Sequence, residues 1–97
     1  MHRKQYHVYI LTNKRHTVLY TGVTNNLARR LQEHRDGVGK AFTTRYNVHK
    51  LVYAEPYDDI HQAIAREKQL KGGTRQKKLD LIAAANPDWR DLAEDLY

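Results

Sequence analysis

Apolar and polar residues alternate twice near the start of the chain. Tyr6, Val8 and Ile10 interleave with His7, Tyr9 and Leu11, and Val18, Tyr20 and Gly22 interleave with Leu19, Thr21 and Val23. A period of two in residues rich in β-branched and aromatic side chains predicts strands over 7–11 and 19–23. The polar link Asn13-Lys14-Arg15-His16 predicts that they form a hairpin, with Tyr9 and Tyr20 on neighbouring strands.

The period then becomes helical. Thr24, Asn25 and Asn26 offer side-chain oxygens for an N-cap, and Leu27, Ala28 and Leu31 recur at helical spacing until Gly37. Arg30 and His34, one turn apart, border the Leu27/Leu31 stripe and can reach whatever it packs against. Residues 37–50 have no sustained period but carry Lys40, Phe42, Arg45, Tyr46 and Lys50. They predict a basic loop whose aromatic residues either pin it to the core or meet nucleic acid.

Leu51 to Glu55 predicts a third strand, stopped by Pro56. Asp58 and Asp59 are set to cap a helix from Ile60 to Lys71, closed by Gly72-Gly73, with Ile60, Ala63, Ile64 and Leu70 as its apolar stripe. Glu67 falls within about 20° of the centre of that stripe. Thr74 is expected to cap a third helix anchored by Leu79 and Ile82, with Arg75, Lys77 and Lys78 outward, ending near Asn86-Pro87. Asp88 is expected to cap a last short helix in which Trp89, Leu92 and Leu96 dock. No repeat, linker or low-complexity tract interrupts the sequence. The expectation is one domain over 1–97, with 85–97 as an acidic docking segment.

Composition narrows the chemistry. At 97 residues the chain has room for one core and leaves most functional groups near solvent. With no cysteine, disulfides, thiolate zinc sites and thiol nucleophiles are excluded, which suits a reducing cytoplasm. No apolar run approaches the roughly 18 residues of a membrane span, and the charged first residues lead into a strand, so the expectation is a cytoplasmic protein without a membrane partner. The net charge of +6 is unevenly spread. Residues 1–57 set ten Lys/Arg against Glu33, Asp36 and Glu55, whereas Asp88, Asp91, Glu94 and Asp95 face Arg90 alone near the end. A basic body of this kind attracts polyanions, nucleic acid first.

Glu67 changes the picture most. An ionised carboxylate on an apolar helix face needs compensation, from Lys71 one turn later, from a tyrosine hydroxyl, or from a divalent metal. Mg²⁺ keeps several waters and takes one or two carboxylates plus phosphate oxygens, so one acid suffices if the substrate is a phosphodiester. Hydrolysis also needs a proton acceptor and a cation for the charge that builds on the phosphate. Tyr9 and Tyr20 can serve as acceptors only if their pKa falls from about 10. Arg30 supplies a planar donor fork suited to phosphate, and His34 can hold a tyrosine oxygen or share the proton.

In order and spacing these residues resemble the GIY-YIG nuclease family, in its small stand-alone form. His7-Val8-Tyr9 corresponds to the first tripeptide and Tyr20-Thr21-Gly22 to the second. Arg30 corresponds to the family's helix arginine, His34 to the aromatic or histidine position one turn later, and Glu67 to its metal-binding glutamate. Thr12-Asn13-Lys14, Phe42-Thr43, Leu51-Val52-Tyr53 and 86–90 also look like the small members. The resemblance implies an α+β fold, with a three-stranded antiparallel sheet flanked by helices, and one-metal hydrolysis of a DNA strand. By that analogy Glu67 binds Mg²⁺ or Mn²⁺, Tyr20 is the preferred general base, Tyr9 orients water or phosphate, Arg30 stabilises the transition state and His34 assists. Arg29, Lys40, Arg45, Lys68, Lys71 and Arg75 are the expected nucleic-acid contacts.

The tripeptides depart from the family pattern at His7, which replaces a glycine, at Val8 and Thr21, which replace isoleucines, and at Val23, where repair-type members can carry a lysine. Three classes follow. The first is a metal-dependent endonuclease acting on DNA (RNA being the other polyanion such a surface admits), structure-selective, serving DNA repair or processing as a monomer or weak dimer. The second is a nucleic-acid-binding module with little catalysis. The third is a protein-interaction module that uses the acidic stretch from Trp89 to Tyr97.

Overall fold

The computed structural model describes residues 5–36 and 47–96. Lys40, Phe42, Arg45 and Tyr46, and with them the predicted basic loop, lie outside the described residues. The elements are strands β1 (Tyr6–Thr12) and β2 (Leu19–Thr24), helix α1 (Leu27–Asp36), strand β3 (Lys50–Tyr57), helices α2 (Ile60–Gly72) and α3 (Arg75–Ala85), and a 3₁₀ helix (Leu92–Leu96). The strands form one antiparallel sheet in the order β2-β1-β3, so the fold is the expected α+β arrangement.

β1 is central and is buried from Val8 to Thr12, because both faces of the sheet are covered. Tyr9 and Leu11 pack with Leu27 and Leu31 of α1 and with Val48, Leu51 and Ala93. Val8 packs with Ala63 and Leu70 of α2, and Ile10 with Val52 and Ile82 of α3. The alternation that predicts the strand therefore sorts its side chains between two cores instead of between core and solvent.

Local signals set the element ends. Asn26 is the side chain that caps α1, its Oδ1 accepting the Arg29 N–H at 3.1 Å, while Thr24 Oγ1 accepts the Asn26 N–H at 3.1 Å. Asp59 Oδ1 accepts the His61 N–H at 2.8 Å to start α2, and Thr74 Oγ1 accepts the Lys77 N–H at 3.2 Å to start α3.

Several expectations are corrected. Pro56 does not stop β3, which continues to Tyr57; the strand is at the sheet edge, where a missing N–H can be tolerated. Ile64 is 36% exposed and leaves the stripe of α2, whose inward row is Ile60, Ala63, Glu67 and Leu70. Lys78 is half-buried, and Leu96 is 41% exposed although Trp89 and Leu92 do pack on the core. The cap of the last helix is Asp91, not Asp88: Asp91 Oδ1 accepts the N–H groups of Ala93 at 3.0 Å and Leu51 at 3.1 Å. Asn86, buried, ties the same segment down by donating from Nδ2 to the carbonyls of Val52 and Arg90 and accepting the Arg90 N–H.

Candidate active site

Register brings the two tyrosines to one face. Tyr9 pairs with Gly22 and Leu11 with Tyr20, so Tyr9, Tyr20 and Gly22 all point to the side covered by α1. The tyrosine ring centroids are 6.4 Å apart, and the His34 ring lies edge-on to both, at 6.0 Å from Tyr9 and 5.3 Å from Tyr20. Tyr9 is 1% exposed and His34 is fully buried, whereas Tyr20 is half-buried.

Gly22 is what lets this cluster close. A Cβ built on Gly22 would lie 2.5 Å from both Cζ and the hydroxyl oxygen of Tyr9, which means that the Tyr9 ring runs across β2 through the space a side chain would fill. A glycine inside a strand often marks such a close approach.

The Tyr9 hydroxyl lies 3.0 Å from His34 Nε2, and the Arg30 guanidinium is close enough for the two groups to shift each other's pKa. A buried hydroxyl must place its proton, and His34 Nε2 is the acceptor within reach. Burial, reinforced by the neighbouring Tyr20, pushes the Tyr9 hydroxyl up to about 12 despite the opposing pull of Arg30. The lowered pKa that a base would need is not found at Tyr9. Burial alone would lower the Arg30 pKa, but the neighbouring Tyr9, with Tyr20 and Glu33 nearby, outweighs that and holds it above the ordinary value. Glu33, one turn along α1, pairs with Arg30 at 3.6 Å. Sequence reasoning missed Glu33, although its i,i+3 spacing from Arg30 was a usable signal.

Glu67 belongs to α2, whose buried residues pack on Val8 and Val23, the opposite face of the sheet from Tyr9. Its side chain is 17% exposed and its Oε1 is 3.4 Å from Nζ of Lys71, which is 51% exposed. The structure thus unites Tyr9, Tyr20, Arg30 and His34, and gives Glu67 the Lys71 partner that helix spacing allows. Among the described residues no group of three or more His, Asp or Glu side chains is arranged to hold a metal. A half-buried single carboxylate, paired with a solvent-facing lysine, nonetheless fits an ion that keeps most of its waters.

His7 lies on the Tyr9 face and pairs with Thr24 on one side and Pro56 on the other, so β1 admits it without a break. Burial lowers its pKa, and its Nδ1 is buried without a hydrogen-bond partner among the described residues. Arg29, Lys68, Lys71 and Arg75 are all exposed, and Arg75 donates to the carbonyl of His16 at 3.2 Å, tying α3 to the hairpin turn.

Residues 5–80 match the family model of the GIY-YIG catalytic domain. The chain belongs to the GIY-YIG family. It is 42% identical over 78 residues to a UPF0213 protein of Clostridium perfringens, covering 80% of this chain and 83% of that protein. It is 38% identical over 78 residues to a UPF0213 protein of Natronomonas pharaonis, covering 80% and 91%. The fold is similar to the solution NMR structure of the UPF0213 protein BH0048 from Bacillus halodurans, with a TM-score of 0.58 and 28% identity over 90% of this chain and 92% of that one. The GIY-YIG match covers both tyrosine strands, α1 and all of α2. Among the described residues, no helix is long and apolar enough to cross a membrane.

Proposed function

We propose that this GIY-YIG protein is a metal-dependent endonuclease that hydrolyses phosphodiester bonds in DNA, selects structured DNA and serves repair or processing in the cytoplasm. Residues 1–97 act as one nuclease domain, as a monomer or weak dimer. The observation that carries the reading is the buried Tyr9–His34 pair with Tyr20 packed beside it and Arg30 close by, within a sequence of this family.

Each residue takes a role suited to its surroundings. Tyr20, less buried than Tyr9, accepts the proton of the attacking water when it is present as the phenolate, and so becomes the neutral phenol. Tyr9 stays protonated, held by His34, and orients the water or phosphate. Arg30, beside Tyr9 and paired with Glu33, meets the charge that develops on the phosphate. Glu67 holds Mg²⁺ or Mn²⁺, which when bound would acidify water and offset phosphate charge. This role requires Glu67 to reach the tyrosine face past β2, the edge strand, and to exchange Lys71 for the metal. Arg29, Lys40, Arg45, Lys68, Lys71 and Arg75 carry the DNA backbone.

The test is incubation with single-stranded, nicked, branched and duplex DNA, with Mg²⁺ or Mn²⁺ and with chelator. Metal-dependent cleavage with preference for one structure supports the reading, and no cleavage of any substrate contradicts it. The Glu67–Lys71 pair favours a second reading, a DNA-binding module without catalysis, which predicts binding that survives Glu67→Ala and no metal-dependent product.

A further inference from the structure

At the end of the sheet nearest the hairpin turn, a cavity of about 470 Å³ is bordered by Lys14, Arg35, His49, Lys50 and Asp91. His49 and Lys50 close the basic stretch 37–50, whereas Lys14, Arg35 and Asp91 lie outside every expected nucleic-acid contact. Three cations face one carboxylate, and that carboxylate is already engaged: Asp91 Oδ1 accepts two main-chain N–H groups, and its Oδ2 is 3.5 Å from Arg35. Lys50 Nζ donates to His16 Nε2 at 3.0 Å, an acceptor that carries no negative charge, and has further N–H donors to offer. Burial and the nearby Lys50 charge both lower the His16 pKa, which keeps it an acceptor. The Nδ1 atom of His49 is buried with no hydrogen-bond partner among the described residues, and a buried polar atom in that state calls for a ligand or water.

An excess of positive charge, several donors and an imidazole nitrogen without a partner among the described residues suit a compact oxygen-rich anion. We propose that this cavity is a phosphate site, and that it holds a backbone phosphate of the same strand whose scissile phosphate meets Arg30 and the tyrosines. Position supports the pairing. Arg35 follows His34 on α1, and Thr12, another wall of the cavity, is three residues beyond Tyr9 on β1, roughly 10 Å along the strand. The strand assignment rests on the nuclease reading; phosphate capture does not.

Inorganic phosphate is titrated into the full chain at constant ionic strength, following the His49 imidazole signals by NMR. The expected result is a saturable shift, with affinity reduced at least about tenfold in Lys50→Gln and in the hairpin-turn variant Lys14→Gln, both checked for native circular dichroism. No His49 response, or wild-type affinity in both variants, overturns the site. In a second arm, binding of a single-stranded oligonucleotide is measured against salt. Lys14→Gln should reduce the magnitude of the slope of log K on log salt by about 0.7, and an unchanged slope overturns the strand assignment. Loss of DNA cleavage with both arms positive would fall on the nuclease reading alone.

Discussion

Tyr9 lies across Gly22. The pair is directly opposed on β1 and β2, and the missing Cβ of Gly22 opens the path by which the phenol reaches His34 Nε2, 3.0 Å away. The last residue of the second tripeptide is thereby linked physically to the tyrosine of the first.

Replacing Gly22 with alanine should therefore act on the tyrosine. The new methyl would sit 2.5 Å from the Tyr9 ring, far inside contact distance, and β1 is too tightly held to yield. The expected cost is about 1–3 kcal/mol of stability from overpacking, read by urea unfolding, together with loss of most cleavage. A variant with native stability and activity would show that the ring can move freely.

Tyr9→Phe removes the proton that His34 receives. It should destabilise the fold by about 1–3 kcal/mol, because His34 Nε2 is left buried without that partner. With the Tyr9 pKa at about 12, its hydroxyl does not titrate near neutrality, so the residual activity of Tyr9→Phe should keep the pH dependence of the wild type below that value. A displaced acid limb in the pH–rate profile would reassign Tyr9 as the group that takes the proton.

Arg30→Lys keeps the charge but not the planar fork beside Tyr9 that pairs with Glu33. Single-turnover cleavage should fall by about 100-fold or more, with a smaller change in DNA binding. An equal loss in binding and cleavage would make Arg30 a simple backbone contact.

Acid stability should report on Glu55. Burial would raise its pKa, but Arg66, Tyr53 and Tyr57 donate to its carboxylate and hold it below the ordinary 4.5. A depressed carboxylate pKa stabilises the fold fully above its unfolded value, and that contribution is lost as pH falls through the folded value. Unfolding free energy should drop below pH 4.5 more steeply in the wild type than in Glu55→Gln. Parallel curves would show that the Glu55 network adds no pH-dependent stability.

Much of this was legible in the chain. Period two at 7–11 and 19–23 identified both strands, and the order of Tyr9, Tyr20, Arg30 and His34 pointed to a cluster that the register then assembled. Long-range relations were less legible. Ile64 and Glu67 both satisfy a helical stripe by spacing, and only packing against Val8 and Val23 turns Ile64 outward and Glu67 inward. The sequence points to Asp88 as the last cap, but the main-chain N–H of Leu51, forty residues from Asp91, fixes Asp91 in that place. Gly22 showed only that a strand glycine was present; which side chain crosses it depends on the pairing of β1 with β2.

Whether Tyr20 and Glu67 perform the cut is decided by comparing wild type, Tyr20→Phe and Glu67→Ala under single-turnover conditions with Mn²⁺ on the best-cleaved DNA. The wild type should cleave, and each variant should cleave at least about 100-fold more slowly, with all three still binding the DNA. Equal cleavage by all three proteins would contradict those roles.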